Sequence, residues 1–314
     1  DESIQVNSGY NQKNFLHKTS FKINSKSQIH YGIQYSETSD IPRYDRLIQR
    51  DELNQLSQAE WYYGPQIWMF NNLTFKHISK TKLFDEFKST IAHQKFVESR
   101  NTRKIYSNLL NQREEKVNAW SLNSDFTKHI NLKTQINYGL EYVSNTIESF
   151  GNQLNINNQT QQPITTRYPD GSSWKTGGVY FNVIQRWNNH SITEGGLRYN
   201  LVEMNGQFDT SLTSYPISDF NITNQAITGS LSQLFKKKFG SISFILSTAF
   251  RSPNIDDIGK TFDSNPGYVT IPNPNLKPEY AYHGEVNLDY KVSRKIKIQN
   301  SIFHLFLKTN FSIF

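Results

Sequence analysis

Residues 280–292 read YAYHGEVNLDYKV. Tyr280, Tyr282, Val286, Leu288, Tyr290 and Val292 share one parity, while His283, Glu285, Asn287, Asp289 and Lys291 share the other. Such strict alternation predicts a strand with one apolar and one polar face. The same rhythm recurs at Ile29, Tyr31, Ile33 and Tyr35, and at Leu132, Ile136, Tyr138, Leu140 and Tyr142. It returns at Phe303, Leu305, Leu307, Phe311 and Ile313. Weaker alternation covers 66–77, 84–96, 117–127, 178–187, 191–203, 226–235 and 241–250. Helical periodicity is scarce. The pattern predicts about twelve strands.

The gaps between strands alternate in length. Short polar turns are expected near 24–27, 78–82, 127–131, 187–190, 236–240 and 293–295. Long gaps are expected over 37–62, 98–115, 145–176, 204–224 and 251–279, which hold most of the Pro, Asp and Gly. Short turns on one rim and long loops on the other fit an outer-membrane barrel, with short periplasmic turns and longer extracellular loops. A soluble sandwich shows turn signals every 8 to 12 residues without this asymmetry. The competing reading is a soluble antiparallel sheet with one wet face. The expectation is therefore all-β, an antiparallel transmembrane β-barrel, with 1–314 as one partial barrel domain.

Composition supports the barrel. Only 36% of residues are hydrophobic, yet aromatics reach 14%, with 21 Phe and 17 Tyr. Disordered chains are aromatic-poor, whereas a barrel with a wet interior and aromatic girdles needs this pairing. No run of 18 apolar residues exists, so a membrane-spanning fold has to be a closed barrel, which satisfies every backbone group in lipid. The start, DESIQVNSGY, lacks the regions of a signal peptide. An exported chain is then a mature form or a fragment.

The net charge of +7 and pI near 9.2 admit a nucleic-acid reading. However, Lys and Arg are scattered along the sequence, and the one dense run, KKKFG at 236–240, sits on an expected turn. No nucleic-acid partner is expected. Cysteine is absent, so thiolate metal sites and Cys nucleophiles are excluded. His17, His30, His77, His93, His129, His190 and His304 lie one per segment without ligand spacing, so no metal site is expected. GSLSQ at 229–233 is no nucleophile elbow. No catalytic residue and no cofactor are expected.

The long gap at 251–279 is the most informative. Phe250 ends a strand, and Pro253 lacks the amide that ladder pairing needs. Turn formers follow, and Pro278 precedes the next strand. Two boxes here, Phe250-Arg251-Ser252-Pro253 and Asn273-Pro274-Asn275-Leu276, resemble the paired FRAP-like and NPNL boxes of TonB-dependent outer-membrane receptors. Within that family, the pair resembles haem and haemoglobin receptors. The stretch 39–65 is similar to a block of such receptors from Bacteroidetes-type bacteria. The first box carries Ser252 where the family has Ala.

The resemblance implies a 22-stranded barrel, of which this chain holds about twelve strands, without the N-terminal plug and TonB box. Phe314 then reads as a truncation point. It implies active import at the outer membrane of a Gram-negative bacterium: loops capture a scarce ligand, and TonB acts through the missing N-terminal part. Haem or haemoprotein iron is the expected cargo, with a ferric siderophore or another nutrient as the alternative. Such haem receptors usually place a His between the boxes, but 254–272 has none. Tyr268 is the one ring with a ligating oxygen there, and Tyr can ligate haem iron. His283 lies nearby on the polar parity. In another long loop, Arg43, Tyr44, Asp45 and Arg46 stand beside Trp61, Tyr62 and Tyr63. Arginines there suit ligand carboxylates and aromatics suit a flat ligand. The expected ligand-binding set is Arg43, Tyr44, Trp61, Tyr62, Arg251, Tyr268 and His283, with outer-membrane lipid around the barrel. Two rival classes are a passive porin and a barrel enzyme using Asp256 and Asp257 with a nearby His.

Overall fold

The computed structural model describes residues 5–215, 217–260 and 272–308. Twelve strands form one continuous antiparallel meander. They are β1 (Gln12–Lys22), β2 (Ser27–Thr38), β5 (Ile67–Ile78), β6 (Glu86–Lys104), β7 (Leu109–His129), β8 (Thr134–Asn155), β10 (Ser172–Asn188), β11 (Ser191–Gln207), β12 (Asp219–Lys237), β13 (Gly240–Arg251), β14 (Glu279–Lys291) and β15 (Lys297–Lys308). Three short strands sit in the loops: β3 (Ile41–Pro42), β4 (Gln58–Tyr63) and β9 (Gln161–Pro163). So do two short helices, α1 (Tyr44–Leu47) and α2 (Ile255–Gly259). Among the described residues, β1 and β15 each pair on one side only.

Register assigns the two faces. Leu140, Val179, Tyr199 and Ile227 form one cross-strand row, and their exposure runs from 40% to 70%. One step along, the row is Asn123, Glu141, Gly178, Asn200 and Ala226. Large apolar side chains thus stand exposed on one face, and polar ones fill the other. Near the short turns, the apolar face carries a belt of rings. Phe75 and Phe87 are 6.2 Å apart, Phe87 and Phe126 4.8 Å, and Phe126 and Tyr138 5.0 Å. On the polar face, Gly178 leaves the space that the Arg198 guanidinium fills, and Arg198 meets Glu141 at 3.4 Å.

All six expected short turns are present, at 23–26, 79–85, 130–133, 189–190, 238–239 and 292–296. The long gaps expected at 37–62 and 251–279 are present as 39–66 and 252–278, whereas the other three are shorter than expected. Residues 98–104 and 109–115 continue the β6–β7 ladder, leaving a four-residue connection. Strand pairing likewise continues through 145–155, 172–176, 204–207 and 219–224. In the β6–β7 extension most positions on both faces are polar, so alternation fades while backbone pairing persists. Glu98, Arg100 and Asn101, for example, face Glu115, Arg113 and Gln112.

The parity expected for the last strand is also corrected. Phe303 and Leu305 pair with Glu285 and His283, on the polar face. The residues that continue the apolar face are Ile298, Ile302 and Phe306, opposite Tyr290, Val286 and Tyr282. Both parities of β15 are apolar, so only the partner strand can decide which is which.

The largest buried cluster sits at the long-loop rim. Val202, Met204, Phe208 and Phe220 pack with Ile255 and Ile258 of α2. The Asn254 side chain accepts from the Asp257 amide, and the Asp257 carboxylate accepts from the Asn254 amide. This capping box satisfies two orphan helix-start donors.

Candidate functional site

The two sequence boxes meet at this rim. Phe250 and Leu276 pack on the buried cluster, and Pro253 is fully buried. The Asn273 amide donates to the Ile258 carbonyl at 3.1 Å, and its side chain accepts from the Asn275 amide at 3.0 Å. The boxes therefore pin both ends of the 252–278 loop. Arg251 links the end of β13 to α2 and β14, pairing with Asp257 at 3.0 Å and Glu279 at 3.1 Å. Its side chain is still 53% exposed.

The 39–66 loop supplies a second cluster. The Arg43 guanidinium donates both Nε and Nη2 to Asp45 at 2.7 Å, and Nη1 to the Tyr63 hydroxyl at 2.8 Å. It lies 5.1 Å from the Trp61 ring and 5.2 Å from the Tyr63 ring. Arg100 takes the Tyr63 ring at 5.3 Å. Alternation along β4 sends Tyr62 to the opposite side. There Tyr62 lines a separate groove of about 430 Å³ with Asp40, Arg113 and Phe150. Burial raises its phenol pKa. Gly64, at φ +115, makes the step from β4 to β5, and a Cβ there would stand 2.9 Å from the Ser39 carbonyl oxygen.

Ion pairs join the two clusters. Arg100 pairs with Glu98 at 3.3 Å, Glu98 with Arg167 at 3.5 Å, and Arg167 with Asp256 at 3.4 Å. The Tyr168 hydroxyl donates to Asp256 at 2.6 Å. Burial and this carboxylate raise the Tyr168 phenol pKa. Loops 39–66, 156–171 and 252–278 are thus tied into one network across the mouth.

Glu115 is the exception within it. It is 5% exposed, and neither carboxylate oxygen has a hydrogen-bond partner. It lies five residues before Trp120, on the long-loop side of the apolar part of β7. Burial pushes its carboxyl up to about 7, against the pull of Arg167, Arg100 and Arg113.

The expected residues are therefore distributed. Arg43 and Trp61 meet, joined by Tyr63 instead of Tyr62. Tyr44 opens α1 and is 37% exposed. His283 stands on the polar face, 3.5 Å from both Ser247 and Glu285. It lies four ladder steps from the Arg251–Glu279 pair. Tyr268 lies outside the described residues. Among the described residues no cluster of three His, Asp or Glu can hold a metal ion. Sequence reasoning missed Glu98, Arg100, Glu115, Arg167 and Tyr168, because their polar segments read as loop. The α2 cap was missed too, although Asn254 is a favoured helix-start residue.

An open meander with one exposed apolar face and long loops gathered at one rim is the wall of a large membrane barrel. The chain belongs to the TonB-dependent receptor β-barrel family. The family model "TonB dependent receptor-like, beta-barrel" matches residues 4–305. Among solved structures, it is similar to the copper transporter OprC, with TM-score 0.74 at 10% identity over 96% of this chain and 46% of that one. It is similar to the Serratia marcescens hemophore receptor HasR, a double mutant in complex with its hemophore HasA and heme. That match has TM-score 0.67 at 12% identity over 90% and 42%. It is also similar to the ferric yersiniabactin uptake receptor FyuA from Yersinia pestis, with TM-score 0.66 at 12% identity over 96% and 46%. The chain spans less than half the length of these three structures, and at these identities the likeness is one of fold. No curated protein matches the sequence.

Proposed function

We propose that this chain is barrel wall from a receptor of the Gram-negative outer membrane, which imports haem or haemoprotein iron with energy delivered by TonB. The observation that carries the reading is the pair of boxes at 250–253 and 273–276, both packed on one buried cluster at the mouth of a sheet with one lipid-compatible face. The apolar face sits in lipid, and the polar face lines a wet lumen. The long loops form the extracellular mouth.

The chain's own residues supply groups for capture. Arg251 is half-exposed, and a ligand carboxylate can replace Asp257 or Glu279 on its guanidinium. Tyr44 offers an exposed ring at the facing loop. His283 offers an imidazole on the lumen side. Tyr268 remains in the proposed set as a candidate haem ligand. No bond chemistry is assigned. Asp256 is engaged by Tyr168 and Arg167, and Asp257 by Arg251 and the α2 cap. Asp256→Ala is expected to change no hydrolytic activity.

A ferric siderophore or another bulky nutrient is the second reading, supported by fold likeness to the ferric yersiniabactin receptor and the copper transporter. Uptake by a strain lacking the full-length gene separates the two. Restoring the gene should restore accumulation of labelled haem, and a protonophore should abolish it. Restored accumulation of ferric siderophore without haem would move the cargo to the second reading.

A further inference from the structure

The six short turns lie at one end of the meander. With their flanking residues they span 22–27, 78–86, 128–134, 186–191, 236–240 and 291–297. These segments hold 14 Lys and Arg against two carboxylates, Asp85 and Glu86. The whole chain has 34 against 27. The rim therefore carries +12, and the remainder, with 20 against 25, carries −5. Charges scattered in sequence are gathered in space. Apolar side chains stand exposed among them: Leu83 at 71%, Leu132 at 100% and Phe239 at 57%.

The sixth turn shows this most fully. Phe239, Val292 and Ile296 form the apolar floor of a groove of about 470 Å³. Lys291, Arg294, Lys295 and Lys297 surround it. Lys297 meets Asp289 at 3.3 Å. Among the described residues, no ion pair engages Lys291, Arg294 or Lys295. Lys238 sits 5.5 Å from the Phe239 ring.

We infer that this rim is a docking surface for anionic glycerophospholipid, with the Phe239–Ile296 groove as its best-formed site. The phosphodiester meets the cations, and the start of the acyl chains meets the apolar floor. This rests on the membrane-barrel reading, which places the short turns at the periplasmic leaflet. Bare phosphate chemistry accounts for the cations but leaves Phe239, Val292 and Ile296 without a role.

The test is native mass spectrometry of the full-length receptor from micelles holding equal phosphatidylglycerol and phosphatidylcholine. Phosphatidylglycerol adducts should dominate. Combining Lys291→Gln, Arg294→Gln, Lys295→Gln and Lys297→Gln should lower that preference by about tenfold. Arg294→Gln and Phe239→Ala alone guard against a folding defect, and each should lower it in part. Lys104→Gln, on a long-loop strand end, should leave it unchanged. Equal adducts of both lipids on the wild type would overturn the inference. So would glycerol phosphate binding as tightly as the lipid with no effect of Phe239→Ala, which would mark a phosphate site. The electrophoretic shift of a heat-modifiable barrel is recorded beside each sample. Its loss in the wild type would count against the barrel reading itself.

Discussion

Glu115 should make the mouth pH-sensitive. Burial pushes its folded carboxyl up to about 7, from 4.5 in an unfolded chain. A raised carboxyl binds its proton more tightly in the folded state. Its contribution to stability is therefore full below about pH 4.5 and is lost as pH rises through about 7. Glu115→Gln keeps the shape and removes the charge. In the full-length receptor the variant should melt with the wild type at low pH and above it at pH 8, by at most about 3 kcal/mol. Parallel melting curves at every pH would refute the buried, unpartnered carboxyl. Gly64 gives a second test at this scale. At φ +115, with a Cβ crowding Ser39, Gly64→Ala should cost about 1–3 kcal/mol. Hydrogen exchange should rise in β4 and the 39–66 loop, and unchanged protection would contradict the strain.

Between elements, the cap on α2 is the simplest lever. Asn254→Ala removes an acceptor from the helix start and should cost about 1 kcal/mol. The measurable sign is faster exchange of the Asp257 amide, whereas equal exchange would mean that packing of Ile255 and Ile258 alone seats the helix. Most strands with one apolar face were legible, but β1 was missed because His17 and Thr19 interrupt the Phe15–Phe21 parity that faces Tyr35, Ile33, Tyr31 and Ile29. YAYHGEVNLDYKV gave the parity of β14 directly, and Tyr280, Tyr282, Val286, Leu288 and Tyr290 do share one face. The same reasoning failed at 98–115, where Glu98, Arg100, Arg113 and Glu115 continue a ladder without alternation. It failed at β15, where both parities are apolar. The mouth network was least legible. Arg167 and Asp256 are 89 residues apart in sequence, and only the meander brings them together.

At the scale of the molecule, two consequences follow from topology. Among the described residues, β1 and β15 leave unpaired edges. Open edges cannot be satisfied in lipid. Residues 1–314 alone should give no heat-modifiable, protease-resistant barrel, and a resistant band from this piece would contradict that. The second consequence is polarity from end to end. A +12 rim of short turns opposes a mouth where Arg43, Arg100, Arg167 and Arg251 are matched by Asp45, Glu98, Asp256 and Glu279. A mouth so balanced does not attract anions by charge alone. On the proposed function, ligand capture would then come from exchange of partners on individual groups.

The most direct measurement is haem titration of the full-length receptor, followed by its Soret band, with Arg251→Ala, Tyr268→Phe and His283→Ala beside the wild type. A saturable band is expected on the wild type, weakened in Arg251→Ala and in at least one of the ring variants. A folded receptor that gives no band would contradict haem as the cargo and leave the barrel standing with another nutrient to carry.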